Sequence, residues 1–337
     1  MDIPQIPPQA VLAQLGMGYL VTASLTTVAK LRIADMLRDG PKPLEELALR
    51  SETHPRSLHR ALRALASLGI FSEDEQGRFG LTPLAEPLCT DVAGSMRDAL
   101  LMLAHPAFWD AAGEMLYTLR TGKNALEHNL GEMFFDYLAK NREAAEVFDN
   151  GVTGFTALEN APIASAYDFS GCQRVVDVGG GHGGFIAEIL KRNPSLQGTL
   201  FDLDYVLKGS TVLAAEGVAD RCDTVVGDFF KSVPAGADAY LVKRVLHDWD
   251  DDECVSIMKS VRQALPAHGR VLAIDVVISP GNEPSPGKIV DLLMLSSSRG
   301  RERTERDFQE MFAAAGLKVS RVIPTPSPLC IVEGVIA

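Results

Sequence analysis

The stretch Arg174–Phe185 reads RVVDVGGGHGGF, an apolar strand that runs directly into Gly179, Gly180, Gly181, Gly183 and Gly184. Glycine tolerates positive φ and carries no Cβ, so a turn of this composition lets something approach the backbone closely. Helical spacing resumes at Phe185, Ile186, Ile189 and Leu190, which puts a helix N-terminus behind the turn. Strand, glycine turn and helix make the first half of a nucleotide-binding βα unit.

The turn alone admits two ligands. Gly179, Gly181 and Gly184 keep the dinucleotide spacing G-x-G-x-x-G, whereas Asp177 followed by Gly179, Gly181 and Gly183 keeps the looser spacing of S-adenosylmethionine (SAM) sites. From Gln173 onward strands alternate with helices: RVVDV, a helix to Lys191, GTLFDL, a helix through Ala214, DTVVG, DAYLVK, a helix from Asp250 to Leu265, and RVLAIDVVI. This pattern predicts an α/β fold with a doubly wound, mostly parallel sheet. A helix over Thr304–Ala315 precedes LKVSRVIPT and LCIVEGVIA, a terminal strand pair suited to one antiparallel strand. Asp202 closes the second strand, 23 positions after Gly179, where a carboxylate can accept hydrogen bonds from both ribose hydroxyls. Asp228 and Phe229 follow the third strand and offer an adenine a hydrogen bond and an apolar face.

Upstream, helical spacing runs from Ala10 to Arg38 and stops at Gly40-Pro41. LEELALR, HPRSLHRALRALASLGI and FSEDEQGRFGLT then read as helix, helix and hairpin, a winged helix-turn-helix. Arg50, Arg56, Arg60 and Arg63 make a DNA-binding regulator one alternative. The apolar segment Leu12–Ala34 has no other obvious core to join, which favours packing against a second copy, a homodimer. The helical stretch Ser95–Phe155 carries Phe108, Trp109, Tyr117, Phe134, Phe135, Tyr137 and Phe148, most of them core and a minority lining a pocket. The expected division is 1–95 for the dimerisation domain, 96–160 for a helical linker and 161–337 for the domain that carries the glycine turn.

Composition bounds the partners. With 337 residues, 46% hydrophobic and 23% charged, the chain has material for two cores. A formal charge of −12 opposes binding of nucleic acid or anionic membrane through the whole surface. Five scattered cysteines without a C-x-x-C pair read as reduced thiols, and MDIPQIPPQA has neither a basic n-region nor an apolar h-region. A cytoplasmic protein with no run of membrane-spanning length is the expectation.

DVGGGHG, LFDLDYV, GDFF, VKRVLHDWDDDE and GRERTERDF occur in the order and spacing of the SAM-dependent, metal-independent O-methyltransferases of the plant caffeate and bacterial polyketide-tailoring type. The chain resembles that family over nearly its whole length. The resemblance implies a class I methyltransferase (Rossmann-like) sheet behind an N-terminal winged-helix dimerisation domain, SAM as cofactor, S-adenosylhomocysteine as product, and no metal. It implies that Gly179, Gly180 and Gly181 hold the methionine part, Asp202 the ribose, Asp228 and Phe229 the adenine, and Lys243 a polar contact at the purine, with Leu203 and Arg244 also at the cofactor. His247 sits where the family places its general base, and Asp275 and Glu302 where it places two flanking carboxylates. Asp248, Phe134, Phe135, Phe155, Leu292, Met294 and Ser298 are the expected substrate contacts, a set suited to a phenolic or polycyclic aromatic small molecule.

SAM brings its methyl on a cationic sulfonium, so the protein has to deprotonate and align an acceptor oxygen. Proton transfer from a phenol, pKa near 10, to a histidine near 6.5 is uphill by about 3.5 units, or roughly 5 kcal/mol. The sulfonium favours phenolate, and Asp275 is expected to favour imidazolium and fix the ring tautomer. Three departures from the family stand out: Asp275 where Glu is common, Arg299-Gly300 where Gly-Gly is common, and Phe148–Val152 where an Asn and a Met usually border the substrate. N-methylation of a heteroaromatic ring and NAD(P)-dependent dehydrogenation remain the alternative enzyme readings.

Overall fold

The structure is a computed structural model that describes residues 7–337. Met1–Ile6, the front of the stretch read for a targeting signal, lies outside the described residues. The chain forms two compact units, the first ending at His105 and including Asn150–Phe155, the second made of Pro106–Asp149 and Thr156–Ala337. The helix Arg142–Ser165 contributes residues to both.

In the first unit the expected helix, helix and hairpin are present as Leu44–Arg50, Pro55–Ser67 and the strands β2 (Phe71–Glu73) and β3 (Arg78–Leu81), with a short β1 (Lys42–Pro43) added to β3. Pro55–Ser67 is amphipathic: Leu58, Leu62 and Leu65 enter the core with Leu47, Phe71 and Phe79, while Arg56, Arg60 and Arg63 stay exposed. The single helix expected over Ala10–Arg38 is instead three, Pro8–Gly16, Gly18–Lys30 and Ile33–Met36. The breaks fall at Met17 between two glycines, and at Arg32, whose φ of 57° is left-handed and cannot continue an α-helix. Pro8–Lys30 is, by length and composition, apolar enough to cross a membrane, which corrects the expectation that no such run exists. Its Leu12, Leu15, Met17, Tyr19 and Leu20 are exposed, so this apolar surface is not consumed by the unit's own core.

The second unit is built on a seven-stranded sheet of β4 (Arg174–Val178), β5 (Gln197–Asp202), β6 (Cys222–Val226), β7 (Ala239–Lys243), β8 (Arg270–Asp275), β9 (Leu317–Pro324) and β10 (Cys330–Ile336), in the order β6-β5-β4-β7-β8-β10-β9. All pairings are parallel except those of β10, which runs antiparallel to both neighbours. This is the doubly wound sheet with one antiparallel strand that the sequence predicts. Both faces are covered, one core gathering Ile186, Ile189, Leu190, Leu200, Leu241 and Ile274, the other Val176, Val178, Tyr240, Val242, Ile257 and Phe312, as a parallel sheet requires.

The strand order reverses between β4 and β7, so the C-terminal ends of these strands open a crevice where ligands bind in such sheets. Two details differ from expectation. The helix read through Ala214 is two single turns, Asp204–Leu207 and Val212–Ala215, parted at Gly209 with φ of 89°. The helix Pro286–Ser297 was not anticipated, because Pro and Gly crowd its entry and its apolar residues do not keep to one face.

Candidate active site

At the end of β4 the chain turns through Gly179 and Gly183, with φ of 68° and 87°, into the helix Gly184–Arg192. A Cβ on Gly179 would lie 2.8 Å from Val245 Cγ2, whereas one on Gly181 would meet nothing within 4 Å. The turn is thus pressed against the next strand's exit at one end and open at the other. Asp202, at the end of β5, fixes it: Oδ2 accepts from Gly181 N at 2.8 Å and Oδ1 from Leu203 N at 2.7 Å. Burial raises the Asp202 carboxyl above its usual range, against the pull of those two amides. Asp177 is fully buried one step before the turn, and its Oδ2 has no partner among the described residues. Burial pushes that carboxyl up to about 7, opposed by Lys243. The open backbone at Gly181, the carboxylate of Asp202 and the buried acid of Asp177 fit a nucleoside carrying a cationic amino-acid tail.

Phe229 is the third element here, its ring 3.5 Å from the Cβ position of Gly179. Asp228 accepts from Phe230 N at 2.9 Å, shaping the loop that presents Phe229. Lys243 and Arg244, both expected at the cofactor, have other engagements. Arg244 turns its guanidinium onto Glu159 of the helix Arg142–Ser165, Nη2 to Oε1 at 2.6 Å and Nε to Oε2 at 3.0 Å, and Lys243 Nζ lies 3.6 Å from the same carboxylate. Burial pushes the Lys243 ammonium down to about 8, against Glu159. Arg244 also has a left-handed φ of 51°, a conformation that persists in a non-glycine residue only where its surroundings over-determine it. Here the bidentate pair and the bond from Arg244 N to Ile274 O at 3.0 Å do so. Nothing in the sequence pointed to Glu159.

Beyond Arg244 a short 3-10 turn, Leu246–Asp248, carries His247. Its Nδ1 lies 2.9 Å from Glu302 Oε1, which leaves Nε2 as the nitrogen free for an incoming group, 3.8 Å from Asp248 Oδ1. Burial alone would lower the imidazole pKa, but Asp248, the Glu302 hydrogen bond and Asp275 outweigh it and hold it at about 9. The expectation that Asp275 fixes the ring tautomer is corrected: among the described residues neither of its oxygens has a hydrogen-bond partner. Aspartate is one carbon shorter than the family's glutamate, so Asp275 acts on the ring only through its charge. Burial pushes the Asp275 carboxyl itself up to about 7, against the attraction of His247.

Aromatic rings continue from this turn. Trp249 packs edge-on against Phe229 and Phe230 and stacks on Phe135, with centroids 5.5 Å apart and planes 20° from parallel. Phe135 in turn contacts Phe134 and Phe148, and Phe134 meets Phe108 edge-on at 5.3 Å. The expected wall residues Phe134 and Phe135 therefore lie in one ring network with Phe229 at the glycine turn. Of the other expected contacts, Met294 is buried and Leu292 exposed. Ser298 spends its hydroxyl on Met294 O at 3.2 Å, at the end of the helix Pro286–Ser297, and accepts from Gly300 N at 3.1 Å. Phe155 belongs to the first unit. Arg299, one of the departures from the family's pattern, pairs with Glu127 at 3.0 Å. Sequence reasoning passed over Trp249 and Arg303; Arg303 lies inside the GRERT run, the signal that was available.

The chain matches known proteins over most of its length. The O-methyltransferase domain family matches residues 113–318 and the O-methyltransferase dimerisation domain family residues 13–91. The chain is 43% identical to a phenazine O-methyltransferase of Lysobacter antibioticus, over 97% of this chain and 96% of that protein. It is 32% identical to an 8-amino-8-demethylriboflavin N,N-dimethyltransferase of Streptomyces davaonensis, over 96% and 94%. It also superposes, with a TM-score of 0.80 and 34% identity over 94% and 96% of the two chains, on an O-methyltransferase from neocarzinostatin biosynthesis solved with SAM and 2-hydroxy-5-methyl naphthoic acid.

Proposed function

Because the chain belongs to the family of SAM-dependent O-methyltransferases with an N-terminal dimerisation domain, we propose that it methylates a hydroxyl of a phenolic or polycyclic aromatic small molecule, with His247 as general base. The observation that carries this reading is the His247–Glu302 contact, which commits Nδ1 and leaves Nε2 free beside the ring network of Trp249 and Phe135. Bound SAM supplies an electrophilic methyl group on its sulfonium, for attack in line by the acceptor oxygen. In this reading Gly181 and Asp202 hold the cofactor, Phe229 faces its adenine, and Trp249, Phe134 and Phe135 form the planar wall for the acceptor.

The proton energetics support the assignment. With His247 held at about 9, transfer from a phenol near 10 is uphill by only about 1 unit, or roughly 1.4 kcal/mol, in place of roughly 5 for an ordinary histidine. The carboxylates that raise the imidazole therefore narrow the pKa gap to the phenol, while leaving less of the imidazole neutral at lower pH. The same shift sets a pH dependence, because the base works only when neutral. kcat/KM is expected to rise with pH, reach half its maximum near 9 and level off above it.

The dimerisation-domain match and the exposed apolar residues of Pro8–Lys30 support a homodimer formed through the first unit. N-methylation is the second reading, favoured by the likeness to the riboflavin-derivative N,N-dimethyltransferase. Transfer of labelled methyl from SAM to matched hydroxyl and amino derivatives of phenols, naphthoates and phenazines tests both readings. Label on the hydroxyl series alone is expected. Label on the amino series alone would replace O-methylation by N-methylation, and no transfer to either series would overturn the aromatic acceptor.

A further inference from the structure

Three contacts converge on the backbone that carries His247. Arg303 Nη1 donates to Leu246 O at 2.6 Å and Nη2 donates to Trp249 O at 3.0 Å, so one guanidinium holds carbonyls on both sides of the histidine. Asp251 aims that guanidinium, its Oδ1 accepting from Nη2 at 2.8 Å and from Nε at 3.2 Å. The Arg303 side chain is 1% exposed while that of Asp251 is 60% exposed, so the clamp is buried but its guide sits at the surface. Arg303 is itself pinned from behind, its carbonyl accepting from Ile278 N at 2.9 Å. On the remaining side lies Gly300, where any Cβ would run into the carbonyl of His247 and the backbone of Asp248. Between these two residues in the same loop stands Glu302, the partner of His247 Nδ1.

A single short segment, Gly300 to Arg303, thus sets both the height of the His247 turn and the hydrogen bond to its ring. We propose that Arg303 is a positioning residue for the proton-transfer step: its guanidinium, aimed by Asp251, holds Leu246–Trp249 at the depth where His247 meets Glu302, and Gly300 leaves the space that this depth requires. The proposal rests on the reading of His247 as the base. A lysine at position 303 keeps one charge but lacks the planar fork that reaches two carbonyls at once, so the turn is free to shift and the ring to part from Glu302.

The test uses Arg303→Lys and Asp251→Ala in the full chain, with His247→Ala measured alongside. For Arg303→Lys, kcat is expected to fall about 100-fold, the order of loss that follows a misplacement of about 1 Å. The KM for SAM and the calorimetric affinity for S-adenosylhomocysteine should stay within about twofold, and the kcat/KM limb should move from about 9 toward the ordinary histidine range. Asp251→Ala changes an exposed side chain and should move kcat and the limb in the same direction by less; if Arg303→Lys does not fold, this variant decides. Wild-type kcat and limb in the folded variants would overturn the proposal, as would a loss confined to cofactor affinity. If His247→Ala keeps near-normal turnover, the base reading itself falls; if it is inactive while the other two behave as wild type, only the role of Arg303 falls.

Discussion

At the glycine turn the groups read as cofactor contacts are backbone, placed by the conformations of Gly179, Gly181 and Gly183 within one βα unit and braced by Asp202 from the adjacent strand. At the His247 turn the group read as the base is a side chain, and what holds it arrives from 55 and 57 positions away, Glu302 on its ring and Arg303 on its backbone. One half of the site is thus a local property of the chain and the other an assembly. The backbone half resists any substitution that adds a Cβ. The assembled half tolerates a change of volume poorly but is sensitive above all to charge, because its imidazole is kept at about 9 by carboxylates against burial.

If the two halves are separable, damage to one should spare the other. The largest effect is expected for His247→Ala, a fall in kcat of about 100- to 10,000-fold with S-adenosylhomocysteine binding by calorimetry unchanged; an equal loss of binding would show that the halves are one. The same variant bears on stability. The raised pKa of His247 stabilises the fold fully below its unfolded value near 6.5, and that contribution is lost as pH rises through about 9. Wild type should therefore lose more thermal stability across this window than His247→Ala.

Glu302→Gln comes next. It keeps the shape but removes a charge-assisted hydrogen bond worth about 1.5–3 kcal/mol, so kcat should drop about ten- to a hundredfold. Its kcat/KM limb should move below the wild-type position; a limb still near 9 would assign the raised imidazole to Asp248 and Asp275 instead. Gly179→Ala probes the opposite half. A left-handed alanine costs about 1–2 kcal/mol and its Cβ would press on Val245, so S-adenosylhomocysteine affinity should weaken about tenfold while the limb stays in place. The smallest effect is expected at a helix cap beside the assembled half. Asp250 caps the helix Asp251–Ala264 in a capping box with Glu253, and Asp250→Ala should cost about 1 kcal/mol of stability, read by denaturant unfolding, with a change in kcat smaller than that of Asp251→Ala.

Much of this was legible before the structure. Alternating strands and helices gave the sheet, Pro55–Ser67 showed its apolar stripe, and Asp202 was singled out by its distance from Gly179. Short-range rules failed where the chain is broken by one residue's backbone, at Arg32 and at Gly209, because apolar spacing continues across a break that φ alone creates. At Pro8–Lys30 the apolar residues are exposed, as expected of a segment with no other core to join.

The sequence by itself determined what depends on neighbours along the chain: the βα units and the glycine turn. Its resemblance to the family brought His247, Asp275 and Glu302 to notice as a set. Only the tertiary structure decided how that set is divided, with Glu302 on the ring, Asp275 acting through charge alone, Arg244 given to Glu159 and Arg303 holding the turn. Such choices rest on the reach of a side chain across the fold and on how far burial strengthens each charge, and neither is encoded in spacing along the chain.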